Sequence, residues 1–300
     1  MAANIGPTYF CRQDLHFPFD NVSRLNLHSS HTPSTKTALP DLPDTMERKT
    51  MELSKQVDDL IERGALFVIN HSAGKDSQAM TIMLRRVVPA RQLLVVHADL
   101  GEVEWDGNID HIRKTIGDIA FETCRNPNKT LLEMVERRGM WPSPGQRQCT
   151  SDLKRGPIER TIRRYLKAHP EFGGLVVNCM GIRAEESTAR SKQKPFRFHA
   201  GNSKAGREWY DWLPIFDMSK EDVFALIDEA GQKPHWAYAA GMSRLSCVFC
   251  IMANRSDLRT AANLNPDLYS RYVRLERQIG HTLSMDGRGL EEVTGIQATT

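Results

Sequence analysis

A six-residue segment combines the side chains that bind phosphate groups, and its members are Ser72, Ala73, Gly74, Lys75, Asp76 and Ser77. Gly74 lets the backbone approach an anion closely, and Lys75 supplies a positive charge. Ser72 and Ser77 add hydroxyl donors. Asp76 repels a phosphate, so we predict that it caps a helix or binds a bridging Mg²⁺. The segment therefore predicts a phosphate site in which magnesium takes part.

The residues on either side predict how this segment is presented. An apolar run over residues 65–70 predicts a β-strand, and residues 78–84 predict a helix. A turn between a strand and a helix points backbone N–H groups and the positive helix end at an anion. An ordinary strand-to-helix turn is the alternative. We favour the phosphate site because strand, loop and helix occur in the order that such a site requires.

Two common phosphate loops are excluded by the spacing. A Walker A loop needs a glycine where this chain has Ile69, and it needs Ser or Thr where Asp76 follows Lys75. The dinucleotide-binding motif needs three glycines, and the segment has one. The segment resembles instead the pyrophosphate-binding PP-loop, Ser-Gly-Gly-x-Asp-Ser, with Ala73 at the first glycine. That resemblance implies an adenine nucleotide and chemistry at its α-phosphate.

Composition and length limit the class of protein. The chain has 300 residues, of which 40% are hydrophobic and 26% are charged, as in ordinary globular proteins. Its net charge of +3 does not require a nucleic-acid partner. No apolar run approaches the ~20 residues that span a bilayer, and no secretory signal is recognised. Six cysteines in a chain of this length are typical of a reducing compartment, so we expect a cytoplasmic protein.

Three regions are predicted along the chain. Residues 1–49 are polar and interrupted by proline, which predicts a poorly ordered extension. Residues 50–240 are predicted to form the nucleotide-binding domain. Residues 241–300 are predicted to form a helical segment that carries a Cys-x-x-Cys pair.

Alternation of strands and helices predicts the fold class. Strands are predicted at 65–70, 92–97 and 174–179, and helices at 51–63, 105–119, 130–138, 156–168, 219–230 and 266–279. This alternation predicts an α/β fold with a mostly parallel sheet covered by helices on both faces. Ligands of such sheets lie beyond the carboxyl ends of the strands.

A second group of polar residues follows the strand at 174–179. Gly181, Arg183, Glu186 and Arg190 can bind a phosphate or sulfate group, and Glu186 can orient Arg183. A solvated charged loop is the alternative. We favour the anion site because the predicted fold places these residues on the same edge of the sheet as the phosphate segment. Asp99 lies at the end of the strand at 92–97, where it either accepts hydrogen bonds from ribose hydroxyls or binds Mg²⁺, or makes a turn before Gly101.

Three cysteines form the third group. Cys247 and Cys250 make a Cys-x-x-Cys, and Cys149 lies far from them in sequence. The pair can be a redox dithiol, half of a zinc site, part of an iron–sulfur site, or two buried side chains. Zinc is less favoured because it takes four ligands and a second Cys-x-x-Cys is absent. We favour a four-iron four-sulfur cluster on the three thiolates, with Cys179 as a candidate fourth ligand that is more easily explained by burial.

Together these motifs resemble the phosphoadenosine phosphosulfate (PAPS) reductase family of PP-loop adenine-nucleotide enzymes, over roughly residues 60–285. The resemblance rests on the phosphate segment and on these further residues: Cys149, Thr150, Lys154, Pro157, Gly181, Ile182, Arg183, Glu186, Ser187, Arg190, Trp212, Leu213, Pro214, Ile215, Asp222, Val223, Tyr238, Gly241, Arg244, Cys247 and Cys250. Its arrangement of one early cysteine and a late pair is similar to DNA phosphorothioation sulfurtransferases and their phage and archaeal relatives. The resemblance implies an adenine nucleotide alpha-hydrolase-like fold that binds ATP or PAPS.

Departures from the family pattern shape the expected reaction. Assimilatory PAPS reductases carry a nucleophilic cysteine in a C-terminal Glu-Cys-Gly-Leu-His segment, whereas the last cysteine here is Cys250. Adenylylsulfate reductases use a Cys-Cys pair, whereas Thr150 follows Cys149. The expected reaction is therefore ATP-dependent adenylylation of an acceptor followed by sulfur transfer, with Lys75, Asp76, Arg183 and Arg190 as the catalytic residues.

Two other functions stay open. One is a PAPS reductase that uses an external thiol, and the other is an inactive nucleotide- or nucleic-acid-binding regulator with the same fold. Expected partners are an adenine nucleotide, a sulfur donor or thiol reductant, and a nucleic acid as candidate acceptor. A homo-oligomer is also expected, and no membrane partner.

Overall fold

The sheet is the framework of the molecule, and a computed structural model describes residues 55–299. Six strands form it, and they are β1 (Leu66–Asn70), β2 (Leu93–Ala98), β3 (Ala120–Cys124), β4 (Leu175–Met180), β5 (Phe196–Phe198) and β6 (Glu208–Trp212). The strand order is β3-β2-β1-β4-β6-β5. All neighbours are parallel except β5, which runs antiparallel to β6. The predicted mostly parallel α/β fold is confirmed.

Helices cover both faces of this sheet. They are α1 (described over residues 55–62), α2 (Lys75–Val87), α3 (Asn108–Ile116), α4 (Leu131–Arg138), α5 (Gly156–Ala168), α6 (Thr188–Ser191), α7 (Lys220–Glu229), α8 (Trp236–Ala239), α9 (Arg255–Leu264), α10 (Pro266–Ile279) and α11 (Leu290–Thr294). The smaller core contains Ile162 and Leu166 of α5, packed with Val68 of β1. The larger core contains Phe67 of β1 on the opposite face. The alternation along β1 therefore sends successive side chains into two cores.

Buried aliphatic side chains explain the central strands. The strands β1, β2 and β4 are almost fully buried, as expected where helices cover both faces of a parallel sheet. Their predicted bounds agree with the structure to within one residue. The strands β3, β5 and β6 were not predicted, because β3 is half-exposed and β5 is only three residues long. The predicted helix at 105–119 is shorter at both ends, since Trp105 is buried ahead of it and Gly117, at φ 68°, ends it.

The predicted extension at 1–49 lies outside the described residues, and the three-part division of the chain stays a prediction. Within the described range, no helix is both long enough and apolar enough to cross a membrane.

A polar ladder crosses three neighbouring strands inside the sheet. The Asn70 side-chain amide donates to Asn178 Oδ1 at 2.7 Å, and the Asn178 amide donates to Asp211 Oδ1 at 3.0 Å. Asp211 also accepts from the Trp209 indole at 3.3 Å and pairs with Arg197 at 2.7 Å. Buried polar groups that lose a partner are costly, so Asn178 holds β1, β4 and β6 together.

We predict that Asn178→Ala lowers the free energy of unfolding by about 2 kcal/mol, because it leaves polar atoms of Asn70 and Asp211 without their partner. Chemical denaturation monitored by circular dichroism measures the change. Gln193→Ala, at an exposed position, is the matched control and is expected to leave stability unchanged. Equal stability of Asn178→Ala and the parent protein would contradict the role assigned to the ladder.

Candidate functional site

The phosphate segment and the loop at residues 181–190, which we call the Arg183 loop, meet at the point where the order of the strands in the sheet reverses. The chain runs from β1 outward to β3 on one side and then continues with β4 on the other side of β1. The crevice beyond the carboxyl ends of β1 and β4 is therefore the switch point at which ligands bind in such sheets. Gly181 lies so close to the start of α2 that an added Cβ would stand 3.1 Å from the carbonyl carbon of Asp76. The two loops thus form one site.

Backbone conformation shapes the phosphate segment. Ala73 has a φ of 62° and is fully buried, so it takes the left-handed conformation that glycine adopts easily. Its N–H donates to His71 Nδ1 at 3.1 Å. The Ser77 hydroxyl donates to the Gly74 carbonyl at 2.8 Å and accepts the Ser72 N–H at 3.2 Å. Ser77 therefore braces the loop, whereas the Ser72 side chain is exposed.

The predicted capping role of Asp76 is wrong. Gly74 is the N-cap of α2, and no side chain caps the helix there. Asp76 lies in the first turn, where one carboxylate oxygen pairs with Lys75 Nζ at 2.7 Å and the other with Arg183 Nε at 2.7 Å. The side chains of Lys75 and Arg183 are only 6% and 4% exposed. One carboxylate therefore holds two buried cations in the crevice.

Glutamates on the second loop fix the Arg183 side. Glu186 accepts the backbone N–H of Arg183 at 3.1 Å and pairs with the Arg190 guanidinium. Glu185 pairs with the Arg183 guanidinium, and the Met218 carbonyl accepts from it at 3.4 Å. Glu186 thus orients Arg183 through its backbone rather than through its guanidinium. Arg190 reaches the site only through Glu186.

Asp99 lies at the end of β2 and serves the turn that follows. Its carboxylate accepts the Gly101 N–H at 2.8 Å and pairs with the Arg125 guanidinium. That pairing holds the pKa of Asp99 below its usual range, although burial acts in the opposite direction. Asp99 lines a cavity of about 270 Å³ together with Asn126 and Lys129. A role in ribose or Mg²⁺ binding stays a prediction.

One stretch of chain connects the phosphate segment to the cysteines. The Lys75 N–H donates to the Tyr238 hydroxyl at 3.1 Å. An added Cβ on Gly74 would stand 3.5 Å from Leu245 Cβ. The Val248 N–H donates to the Val103 carbonyl at 2.9 Å. The chain from Tyr238 to the Cys-x-x-Cys pair therefore runs directly beside the candidate phosphate site.

The three predicted cysteines come together around Lys154. Thr150–Arg155 forms a π-helix immediately after Cys149, and this rare geometry often marks functional sites. Electrostatic interaction with Cys247 raises the pKa of Lys154, burial acts in the opposite direction, and Cys250 and Cys149 contribute smaller increases. Burial raises the pKa of Cys247 to about 11. The thiols and the ammonium thus lie within electrostatic reach of one another.

The cysteine site was tested for a metal ion and for a cluster. No group of three or more His, Cys, Asp or Glu side chains among residues 55–299 is arranged to hold a metal ion. The ligands of a cluster lie on different irons, so they are spread more widely than those of one zinc ion. Within electrostatic reach of the thiols, the fully buried Tyr272 hydroxyl has no hydrogen-bond partner among residues 55–299. An unpartnered donor next to three thiols fits a bulky sulfur-containing group better than a single ion.

Cys179 is fully buried in β4, where its thiol lies 3.7 Å from the Val177 carbonyl. That placement agrees with burial rather than ligation. His97 is also explained by its hydrogen bonds, since its ring contacts the His71 carbonyl at 2.8 Å and Glu104 at 3.0 Å.

Sequence reasoning missed several residues of the site. His71 and Tyr238 each occupy an N–H of the phosphate segment, and Lys154 stands among the thiols. Tyr238 and Lys154 belong to the motif pattern, but their residue types alone do not indicate contact with the phosphate segment or with the thiols. Tyr272 carried no signal, because an isolated tyrosine in an amphipathic helix is usually part of the core.

Comparison with known proteins identifies the family. Residues 67–253 match the phosphoadenosine phosphosulfate reductase domain. The chain belongs to that family. A protein from the gpa 5′ region of Escherichia phage 186 is 29% identical over 161 residues, covering 53% of this chain and 46% of its own length. An uncharacterized protein of Methanocaldococcus jannaschii is 24% identical over 245 residues, covering 80% of this chain and 55% of its own length.

This PAPS reductase-family chain spans about half the length of those curated relatives. Among solved structures, a phosphoadenylyl-sulfate (PAPS) reductase from Candida auris in a phosphate complex is 14% identical. It covers 60% of this chain and 80% of its own, with a TM-score of 0.40.

We predict that Asp76→Ala lowers the free energy of unfolding by about 2 kcal/mol, because two buried cations lose their shared partner. The loss is smaller than for a fully buried pair, since the Asp76 side chain is 21% exposed. Inorganic pyrophosphate should restore more stability to this variant than to the parent protein. Thermal and chemical unfolding measure both effects.

Asp286→Ala is the control for that prediction. Its ion pair with Arg288 is exposed on both sides, so its loss is expected to leave stability almost unchanged. An Asp76→Ala protein as stable as this control would show that the carboxylate does not hold the crevice together.

Proposed function

We propose that this PAPS reductase-family protein binds ATP in the crevice between β1 and β4. The observation that carries the proposal is the pair of buried cations, Lys75 and Arg183, that share the Asp76 carboxylate at the switch point. Two cations beside a helix N-terminus attract a polyphosphate strongly. Backbone N–H groups of Asp76 and Ser77 lie in the first turn of α2, where they have no intrahelical acceptor.

The proposed reaction begins with activation of an acceptor. An acceptor oxygen attacks the α-phosphorus of ATP, and the bond to pyrophosphate breaks. Lys75 and Arg183 stabilise the negative charge that develops on the phosphates and on the leaving group. When the phosphates take over these cations, the Asp76 carboxylate becomes available to hold Mg²⁺. The chain thereby supplies positioning and charge neutralisation.

The second half of the proposed reaction is sulfur transfer. Cys149, Cys247 and Cys250 would hold a four-iron four-sulfur cluster, which when bound supplies a position for the sulfur to be transferred. A sulfur nucleophile at the sulfide oxidation level displaces AMP from the adenylylated acceptor, forming a carbon–sulfur or phosphorus–sulfur bond. The stretch from Tyr238 to Cys247 keeps this sulfur site beside the nucleotide. A nucleic acid is the proposed class of acceptor.

Reduction of PAPS with an external thiol is the second candidate function. The family match favours it, because the matched domain is that of a PAPS reductase. Sulfite release from PAPS in the presence of a dithiol, without ATP consumption, separates this candidate from sulfur transfer.

We expect Lys75→Ala to reduce ATP turnover at least about 100-fold, because the phosphates lose one of the two buried positive charges of the site. Pyrophosphate release measures turnover, and circular dichroism confirms folding. Lys192→Ala removes an exposed charge on the second loop and should keep full turnover. Retained turnover in Lys75→Ala would count directly against the assignment.

Anaerobic purification tests the cysteine site. The parent protein is expected to contain about four irons per chain and to absorb broadly in the visible range. Cys149→Ala and Cys250→Ala should lose this iron, whereas Cys124→Ala at the end of β3 should retain it. An iron-free parent protein, or iron retained in all three variants, would contradict the cluster.

A further inference from the structure

Tyr272 of α10 lies against the Cys-x-x-Cys pair. The ring of Phe249, between Cys247 and Cys250 in sequence, stands 4.9 Å from the Tyr272 ring. The Trp141 ring stacks on the Tyr272 ring, with their centroids 5.0 Å apart and an interplanar angle of 18°. Tyr272 is fully buried, so these neighbours hold its ring in one place. Its position beside the cysteines is therefore built by packing.

The Tyr272 hydroxyl is a donor without an acceptor. It has no hydrogen-bond partner within the described chain, although buried hydroxyls normally have one. The Tyr272 hydroxyl lies within electrostatic reach of Cys247, Cys250 and Cys149. A buried hydroxyl that lies near three cysteines and has no partner in the described chain is available to donate to a group that those cysteines bind.

Tyr269 shows that this lack of a partner is specific. It lies one turn earlier on the same helix, is equally buried, and its ring stands 5.7 Å from Phe249. Its hydroxyl contacts Thr294 Oγ1 at 2.8 Å and donates to the Ile296 carbonyl at 2.7 Å. Two tyrosines thus contact the same phenylalanine, and only the one on the thiol side lacks an acceptor.

We propose that the Tyr272 hydroxyl donates a hydrogen bond to a sulfur of the group held by Cys149, Cys247 and Cys250, and thereby sets its reduction potential. This inference rests on the cysteine site of the proposed function. Hydrogen bonds to cluster sulfurs withdraw negative charge and so favour the reduced state. Tyr272 is accordingly a positioning and tuning residue, and it takes no part in binding the nucleotide.

The test compares anaerobically purified parent protein, Tyr272→Phe and Tyr269→Phe. Iron and sulfide content are measured first, and the midpoint potential is then determined by a redox titration followed by electron paramagnetic resonance. Tyr272→Phe should keep its iron and shift to a more negative midpoint potential. Tyr269→Phe should be less stable, because its hydroxyl loses two partners, but should keep the parent potential.

A second readout detects the hydrogen bond itself. An exchangeable proton coupled to the cluster should appear in electron–nuclear double resonance, disappear in D₂O, and be missing from Tyr272→Phe but present in Tyr269→Phe. A parent potential and proton signal in Tyr272→Phe would overturn the inference.

An iron-free parent protein would also overturn it. Calorimetry with ATP reads the nucleotide site separately, so failure at the cysteine site is distinguished from failure of nucleotide binding.

Discussion

A single carboxylate, that of Asp76, makes this crevice possible. Burying two cations beside each other is unfavourable, and the cost is tolerated only when a counter-charge lies between them. Asp76 provides that charge at 2.7 Å from both Lys75 and Arg183. Lys75 follows β1 and Arg183 follows β4, so the ion pairs of Asp76 also connect the two halves of the sheet. A ligand that carries several negative charges can replace this internal partner.

The remaining parts of the site serve that arrangement. His71 accepts the N–H of Ala73 and so supports a left-handed alanine where glycine is usual. Gly181 permits the close approach of the two loops, because a side chain there would press against the backbone of Asp76. Tyr238 accepts the Lys75 N–H and so connects the phosphate segment to the stretch of chain that leads to Cys247. The candidate phosphate site and the thiols are therefore connected by one continuous stretch of packed chain.

Much of this organisation could be predicted from sequence, for identifiable reasons. The strands β1, β2 and β4 are apolar throughout because helices bury both of their faces, and such runs are easily recognised. A proline near the start marks both α5 and α10, and Gly280 also marks the end of α10. The phosphate segment, the Arg183 loop and the three cysteines were recognisable because their residue types are unusual at those places.

Long-range geometry accounts for what sequence reasoning missed. The strand β6 places Asp211 of the polar ladder among buried tryptophans. Its hydrophobic pattern is therefore weak, and the partners of Asp211, Asn178 and Arg197, are distant in sequence. Asp76 was misjudged as a cap because its true partner, Arg183, is more than a hundred residues away. The roles of Lys154 and Tyr272 depend on neighbours that only the folded chain supplies.

The most direct measurement is hydrogen–deuterium exchange with and without a non-hydrolysable ATP analogue. Our account predicts slower exchange in peptides that contain residues 72–78, because phosphate oxygens would accept hydrogen bonds from the N–H groups of Asp76 and Ser77. It also predicts slower exchange at residues 181–186, because a ligand bound to Arg183 would stabilise that loop. It predicts no comparable change around residues 205–207, which line a separate cavity of about 710 Å³. Protection confined to that cavity, with unchanged exchange at 72–78, would contradict the account.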